Sequence, residues 1–358
     1  MSICHLSTPL KVTVVHGPDQ TEALPFLRVF DFGMPNMYLA PHMGTRSILK
    51  PQRLKKGDLV GIVAPASPPA DPSRIDRGVR YLEGLGYHVV IGEHAGCVHG
   101  YLAGTDEERL ADLHGFFADR RVRAIIAVRG GYGTPRLLSK LNYSLIARNP
   151  KILVGFSDIT ALQLALWKKC SLVTFHGPML GVEMADVMDP FTEEMFWRLL
   201  TSTSKLGLVN LPGESQPRSL CSGKSNGRLV GGNLSLVVSL LGTRYFPDMR
   251  DGILFLEETG EEPYRVDRMI TQLHNAGALS TCRAILAGQF TDCIAEDPSK
   301  PSLTVDEIMS ETALRSMKPF LSNLPFGHLP QKMTLPIGLC ASIDASERRL
   351  SYLEAAVR

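Results

Sequence analysis

Apolar residues in this chain occur in short unbroken runs that alternate with longer stretches in which they recur every third or fourth position. A short apolar run closed by turn residues fits a strand buried on both faces, and the three-to-four spacing fits a helix with one buried face. The first run, residues 59–66 (LVGIVAPA), ends at Ser67-Pro68-Pro69. Residues 71–85 then carry apolar side chains at 75, 79, 82 and 85, and Gly86 stops the helix. Further strands are expected at 88–92, 124–128, 152–155 and 172–175, with helices at 106–117, 135–141 and 159–167 between them. Strands that alternate with helices imply right-handed crossovers and a parallel sheet, so this half reads as a flavodoxin-like α/β domain.

Residues 184–200 are expected to be helical, and from 202 to 225 the composition turns to Ser, Gly, Pro and Lys, which marks a linker. Beyond it, strands are expected at 227–232, 252–256 and 284–290, and helices at 233–241, 263–273 and 306–317. Residues 291–305 read as a polar loop, and short strands run to the C-terminus. The division is therefore an N-terminal extension over 1–49, an α/β domain over 50–201, the linker over 202–225 and a smaller, mostly β domain over 226–358. The extension has prolines at 9, 18, 25, 35 and 41 and no periodicity, and it is expected to be disordered. At 358 residues two domains are the natural division.

The sharpest local signal is at 151–160, KILVGFSDIT, where a strand turns directly into a helix at Ser157. Such a turn lifts a serine hydroxyl above the end of the sheet, which makes Ser157 a candidate nucleophile. The same residue also suits a helix cap, and Asp158 suits a helix-start anion. The preceding strand ends in Arg129-Gly130-Gly131-Tyr132-Gly133. Ligands in open parallel sheets bind at carboxyl ends of strands, and glycines there let backbone N–H groups approach an oxygen. Gly131 and the N–H of Asp158 are thus candidate halves of an oxyanion hole. A phosphate cradle is the competing reading of the loop, although neither the dinucleotide nor the Walker spacing is present.

A serine nucleophile needs a base and an orienting acid. Of the ten histidines, His328 follows the rigid turn Pro325-Phe326-Gly327, and Glu257 and Glu258 end the strand at 252–256. The order Ser157, Glu257, His328 is that of the α/β-hydrolases. A solvated acidic pair and an ordinary loop histidine are the plain alternatives, and His176 is read as structural.

Composition narrows the partners. A formal charge of +2 gives no basic field for nucleic acid. No run approaches the roughly 20 apolar residues of a membrane helix. The start, MSICHLSTPLKV, lacks a basic segment followed by an apolar one, so no secretory signal is expected. Seven dispersed cysteines without metal-ligand spacing fit reduced thiols in a cytoplasm, and no metal or cofactor is expected.

Taken jointly, VGIVAPAS, RGGYG, GFSDIT, VTFHGP, GRLVGGNLSL, ILFLEE followed by PYRVDRM, and PFGH resemble the LD-carboxypeptidases, a serine peptidase family that includes the microcin C immunity proteins. The resemblance runs from about residue 50 to the C-terminus. It implies Ser157 as nucleophile, Glu257 as acid with Glu258 one residue off as the alternative, and His328 as base. Gly131 and Asp158 follow as oxyanion donors. It also implies a homodimer, a groove between the domains, and hydrolysis that releases a terminal D-alanine from a murein tetrapeptide. Arg129 is the favoured receptor for the substrate carboxylate, with a structural salt bridge as its alternative. Two other functions stay open: an immunity-type hydrolase of a peptidyl nucleotide amide, for which Trp197 and Phe191 are candidate aromatic platforms although core packing is the favoured reading of both, and a non-catalytic binder of cell-wall peptides.

Overall fold

The apolar runs of the first half become one parallel sheet. The structure, a computed structural model, describes residues 47–213 and 215–358, so the extension expected over 1–49 lies outside the described residues as far as residue 46. Strands β1 (Leu59–Val63), β2 (His88–Ile91), β3 (Val122–Ala127), β4 (Ile152–Gly155) and β5 (Thr174–His176) lie parallel in the order β5-β4-β3-β1-β2. Helices α1 (Ser73–Gly84), α2 (Asp106–Ala118), α3 (Tyr143–Arg148) and α4 (Ile159–Cys170) fall between them. All of β4 is buried, as its unbroken apolar sequence requires of a central strand covered on both faces. Helix α2 starts on a capping box: the Glu108 N–H donates to Thr105 Oγ1 at 3.2 Å, and the Thr105 N–H donates to Glu108 Oε2 at 2.7 Å.

Helix α5 occupies Pro190–Thr201, later than the 184–200 that spacing suggests. Asp189 Oδ1 accepts the N–H groups of Phe191 and Thr192, and Pro190 sits in the first turn where its missing N–H costs nothing. Residues 179–189 consequently form an irregular rim, which Arg74 fastens by donating to the carbonyls of Gly181 and Val182 and pairing with Asp186.

Nine strands follow: β6 (Gly207–Leu208), β7 (Arg218–Cys221), β8 (Lys224–Asn233), β9 (Gly252–Thr259), β10 (Ala284–Thr291), β11 (Phe320–Ser322), β12 (Leu335–Ile337), β13 (Cys340–Asp344) and β14 (Arg349–Tyr352). All but β12 make a second sheet in the order β6-β14-β13-β8-β9-β10-β11-β7. Its centre, β8 to β11, is parallel, with α6 (Leu234–Ser239), α7 (Pro263–Asn275), α8 (Ala278–Thr281) and α9 (Val305–Ser316) between the strands. The stretch at 202–225 supplies the edge strands β6 and β7, at opposite ends of this sheet.

Strand β12 decides where the site forms. It leaves the second sheet and pairs antiparallel with β5, Leu335 opposite His176 and Ile337 opposite Thr174. Because β5 neighbours β4, the segment between Phe326 and β12 is drawn across the end of the strand that carries Ser157.

Candidate active site

Ser157 stands between β4 and α4 with φ at 61°, a left-handed conformation that costs a non-glycine residue about 1 kcal/mol or more. The helix cap is Asp158, and no side-chain capping bond is made there, so Ser157 does not serve as the cap. Its carbonyl accepts the Thr160 N–H at 2.9 Å, which closes the turn. The hydroxyl makes no hydrogen bond among the described residues and projects from a half-buried position.

The glycine loop after β3 comes close to this turn. A Cβ on Gly130 would lie 2.7 Å from Ser157 Cβ, 2.9 Å from its Oγ and 3.3 Å from the Asp158 nitrogen. Only glycine leaves that space open. Neither the Gly131 N–H nor the Asp158 N–H has an acceptor among the described residues. The Asp158 carboxyl, raised above its ordinary range by burial, accepts the Thr134 N–H at 2.8 Å, while Thr134 Oγ1 donates to the Asp158 carbonyl. Two bonds thus tie the end of the loop to the serine turn.

From the other sheet, β9 delivers Glu257, fully buried, and its Oε2 lies 2.7 Å from His328 Nδ1. Gly327 makes the approach possible: its φ is 113°, and a Cβ there would stand 2.9 Å from both Glu257 Cβ and Oε2. The His328 carbonyl accepts Thr291 Oγ1 at 2.9 Å. The histidine ring packs edge-on against Phe156, centroids 5.0 Å apart, and Phe156 is the residue before Ser157. The structure therefore brings Ser157, Gly130, His328 and Glu257 to one place, with no hydrogen bond yet joining the serine hydroxyl to the imidazole.

Geometry separates the two adjacent glutamates. Glu258 turns the other way and accepts Asn233 Nδ2 at 2.6 Å, the Ser235 N–H at 2.8 Å, Ser235 Oγ at 2.6 Å and the Thr259 N–H at 2.9 Å. Burial pushes its carboxyl pKa up, and these donors counter the shift.

Arg129 is half-buried beside the loop. Its Nη1 reaches the Pro68 carbonyl at 3.4 Å, and it makes no ion pair among the described residues, so the salt-bridge alternative is not realised. Trp197 is not a platform: it stacks on Tyr87 at 5.3 Å and donates to Tyr81 Oη at 2.8 Å. Phe191 packs against the core. No spacing signalled Lys332 and Glu183, which form a nearly buried ion pair with Lys332 Nζ 4.1 Å from the centroid of Phe156. They and Phe156, Met188, Pro330 and His328 line a cleft of about 620 Å³. A second cleft of about 760 Å³, between the start of α7 and residues 295–303, touches none of the candidate residues. Ser67 reads in the sequence only as the turn that closes the β1 run, yet it lies at the end of the sheet where ligands bind. Among the described residues, no three His, Cys, Asp or Glu side chains form a group that could hold a metal ion, and no helix is long and apolar enough to cross a membrane.

His176 is buried against Phe156 and Phe255, and neither ring nitrogen has a partner among the described residues. Burial, helped by the charges of His328 and Lys332, lowers its pKa to about 3. The unfolded chain takes up this proton near pH 6.5 and the folded chain does not until about pH 3, so stability falls as pH drops through that window. Replacing His176 with Met, close in volume and adaptable in shape, is expected to move the acid-unfolding midpoint, followed by circular dichroism, to lower pH. An unchanged midpoint would mean that the ring is protonated within the fold.

Similarity to known proteins identifies the family. Family models for the LD-carboxypeptidase N-terminal and C-terminal domains match residues 60–177 and 226–343. The probable murein peptide carboxypeptidase of Bacillus subtilis is 41% identical over 309 residues, 86% of this chain and 95% of that one. Among solved structures, the microcin C7 self-immunity protein MccF superposes with a TM-score of 0.79 at 27% identity, covering 87% of this chain and 100% of that one. The muramoyltetrapeptide carboxypeptidase of Oxalobacter formigenes gives 0.71 at 31%, covering 82% and 97%. Both domain models, in order and across most of the described residues, together with close relatives matched nearly end to end, mean that the chain belongs to the LD-carboxypeptidase family.

Proposed function

We propose that this protein is a serine LD-carboxypeptidase that hydrolyses the amide between an L-centre and a terminal D-alanine in murein tetrapeptides. The observation that carries the reading is the 2.7 Å contact between His328 and Glu257, set beside a serine held in a left-handed turn. His328 takes the Ser157 proton through Nε2 as Oγ attacks the carbonyl carbon, while the charge of Glu257 stabilises the imidazolium. The N–H groups of Gly131 and Asp158 hold the oxyanion. Collapse of the intermediate breaks the C–N bond, and the imidazolium gives its proton to the leaving D-alanine amine. Water, deprotonated by His328, then hydrolyses the acyl-serine. The guanidinium of Arg129, without a carboxylate of its own, receives the carboxylate of the departing residue. In this proposal the serine belongs to the domain at 50–201 and the acid and base to that at 226–358. A homodimer is in keeping with the family resemblance, and a cytoplasmic place in murein recycling with the dispersed cysteines.

The test is release of free D-alanine from a purified murein tetrapeptide with a chelator present. Release that Ser157→Ala abolishes is the expected result. A wild-type protein that releases none, yet is labelled at Ser157 by an acylating reagent, would replace this substrate with a nucleotide-linked amide. That second reading is favoured by the close superposition on the self-immunity protein and opposed by the engagement of Trp197 with Tyr87 and Tyr81. Absence of labelling would favour a binder.

A further inference from the structure

We infer that Ser67 is the positioning residue that orients the oxyanion-binding peptide between Gly130 and Gly131; this rests on the serine-hydrolase reading above. Ser67 touches both peptides of the glycine loop. Its N–H points at the Gly130 carbonyl, 3.4 Å away, and its Oγ accepts the N–H of Tyr132 at 3.1 Å. A peptide unit is planar and trans, so its C=O and N–H point in opposite directions. With the Gly130 oxygen turned toward Ser67, the N–H of Gly131 must turn away from it. A Cβ on Gly130 would run into Ser157 Oγ and the Asp158 nitrogen, so the loop stands directly against the serine turn.

The backbone could take the opposite orientation at little cost, because both residues are glycine and a peptide flip between glycines meets no side chain. Something has to choose. Gly131 has a φ of 118°, and a Cβ there would fall 2.3 Å from Ser67 Oγ, so the serine lies directly against the loop. The second bond anchors the next peptide: with the Gly130 carbonyl facing the Ser67 N–H and the Tyr132 N–H on Ser67 Oγ, the dihedrals of Gly131 are held from both sides. Without the Oγ bond only the long 3.4 Å contact keeps the first peptide in place. Ser67 is itself held firmly. The Ala66 carbonyl before it accepts the Ala103 N–H at 2.9 Å, and Pro68 and Pro69 after it restrict φ. The hydroxyl thus serves as a fixed acceptor for the Tyr132 N–H, and its effect is felt at the nitrogen of the preceding residue, Gly131.

The experiment compares Ser67→Ala and Ser67→Thr with wild type on a murein tetrapeptide. A peptide boronic acid ending at the L-centre serves as a probe, since its boron forms a tetrahedral adduct with Ser157. Loss of one oxyanion donor costs about 10²- to 10³-fold, and a donor left in place but unheld is expected to cost about 10- to 100-fold. Ser67→Ala should therefore lower kcat by about that factor with KM within about twofold, and weaken boronate binding in parallel. Affinity for the non-covalent product tripeptide should be unchanged. Ser67→Thr, which keeps the hydroxyl, should recover most of the loss even if it melts lower. A Ser67→Ala protein with wild-type kcat and boronate affinity, or one in which only KM or melting temperature changes, overturns the role of Ser67 and leaves the hydrolase reading intact. A wild-type protein that neither turns over nor binds the boronate overturns both.

Discussion

Replacing Ser157 with alanine is expected to lower kcat for D-alanine release by about 10⁴-fold or more, with the melting temperature within ~2 °C of wild type. The two halves of this expectation have separate causes. The hydroxyl makes no hydrogen bond among the described residues, so its removal strands no donor or acceptor. Alanine also meets the same left-handed strain at φ 61°, so the turn neither gains nor loses. Glycine at 157 is a useful third protein. It should be equally inactive and more stable by about 1 kcal/mol, because the strain vanishes. A serine that merely linked β4 to α4 would be tuned for stability, whereas here the stable choice and the reactive choice differ. Turnover by the alanine variant near the wild-type rate would remove Ser157 from the chemistry.

The parallel sheet was legible because β1, β3 and β4 are buried on both faces along nearly their whole length and are apolar there, Arg123 near the start of β3 being the exception. The serine turn was legible for a related reason: a strand that passes into a helix without a loop leaves one residue to make the turn. What spacing could not supply was β12. Its three residues pair with β5, 159 positions earlier at Leu335 opposite His176, and a three-residue strand has no periodicity to read. That pairing is what sets His328 against Phe156, so the sequence offered the base as a candidate but not its location. Lys332, on the same segment, was invisible for the same reason. The late start of α5 was available in principle from Asp189-Pro190, a capping residue followed by proline, but the apolar residues at 184, 188 and 191 continue the helical spacing across it. Edge strands β6 and β7 are short and partly exposed, and their Ser, Gly and Pro surroundings read as linker.

The two neighbouring glutamates should respond to the same substitution in opposite ways. Glu257→Gln is expected to lower kcat by about 10³- to 10⁴-fold and leave stability nearly unchanged. The amide can keep its oxygen toward His328 Nδ1 and turn its NH₂ to the place of Oε1, which has no partner among the described residues. Packing and the histidine contact survive, and what disappears is the negative charge that stabilises an imidazolium. Glu258→Gln meets donors on both sides: Asn233 Nδ2 and the Thr259 N–H at one oxygen, the Ser235 N–H and Oγ at the other. Whichever way the amide turns, its NH₂ faces N–H groups that lose their acceptor in a buried setting, a loss of about 2 kcal/mol or more. Its melting temperature should fall by several degrees, with kcat of the folded fraction within about tenfold of wild type. Measured side by side, kcat and melting temperature therefore give opposite patterns for the two positions. The reverse pattern, with activity lost at 258 and stability at 257, would make Glu258 the acid and would require β9 to present its other face to His328.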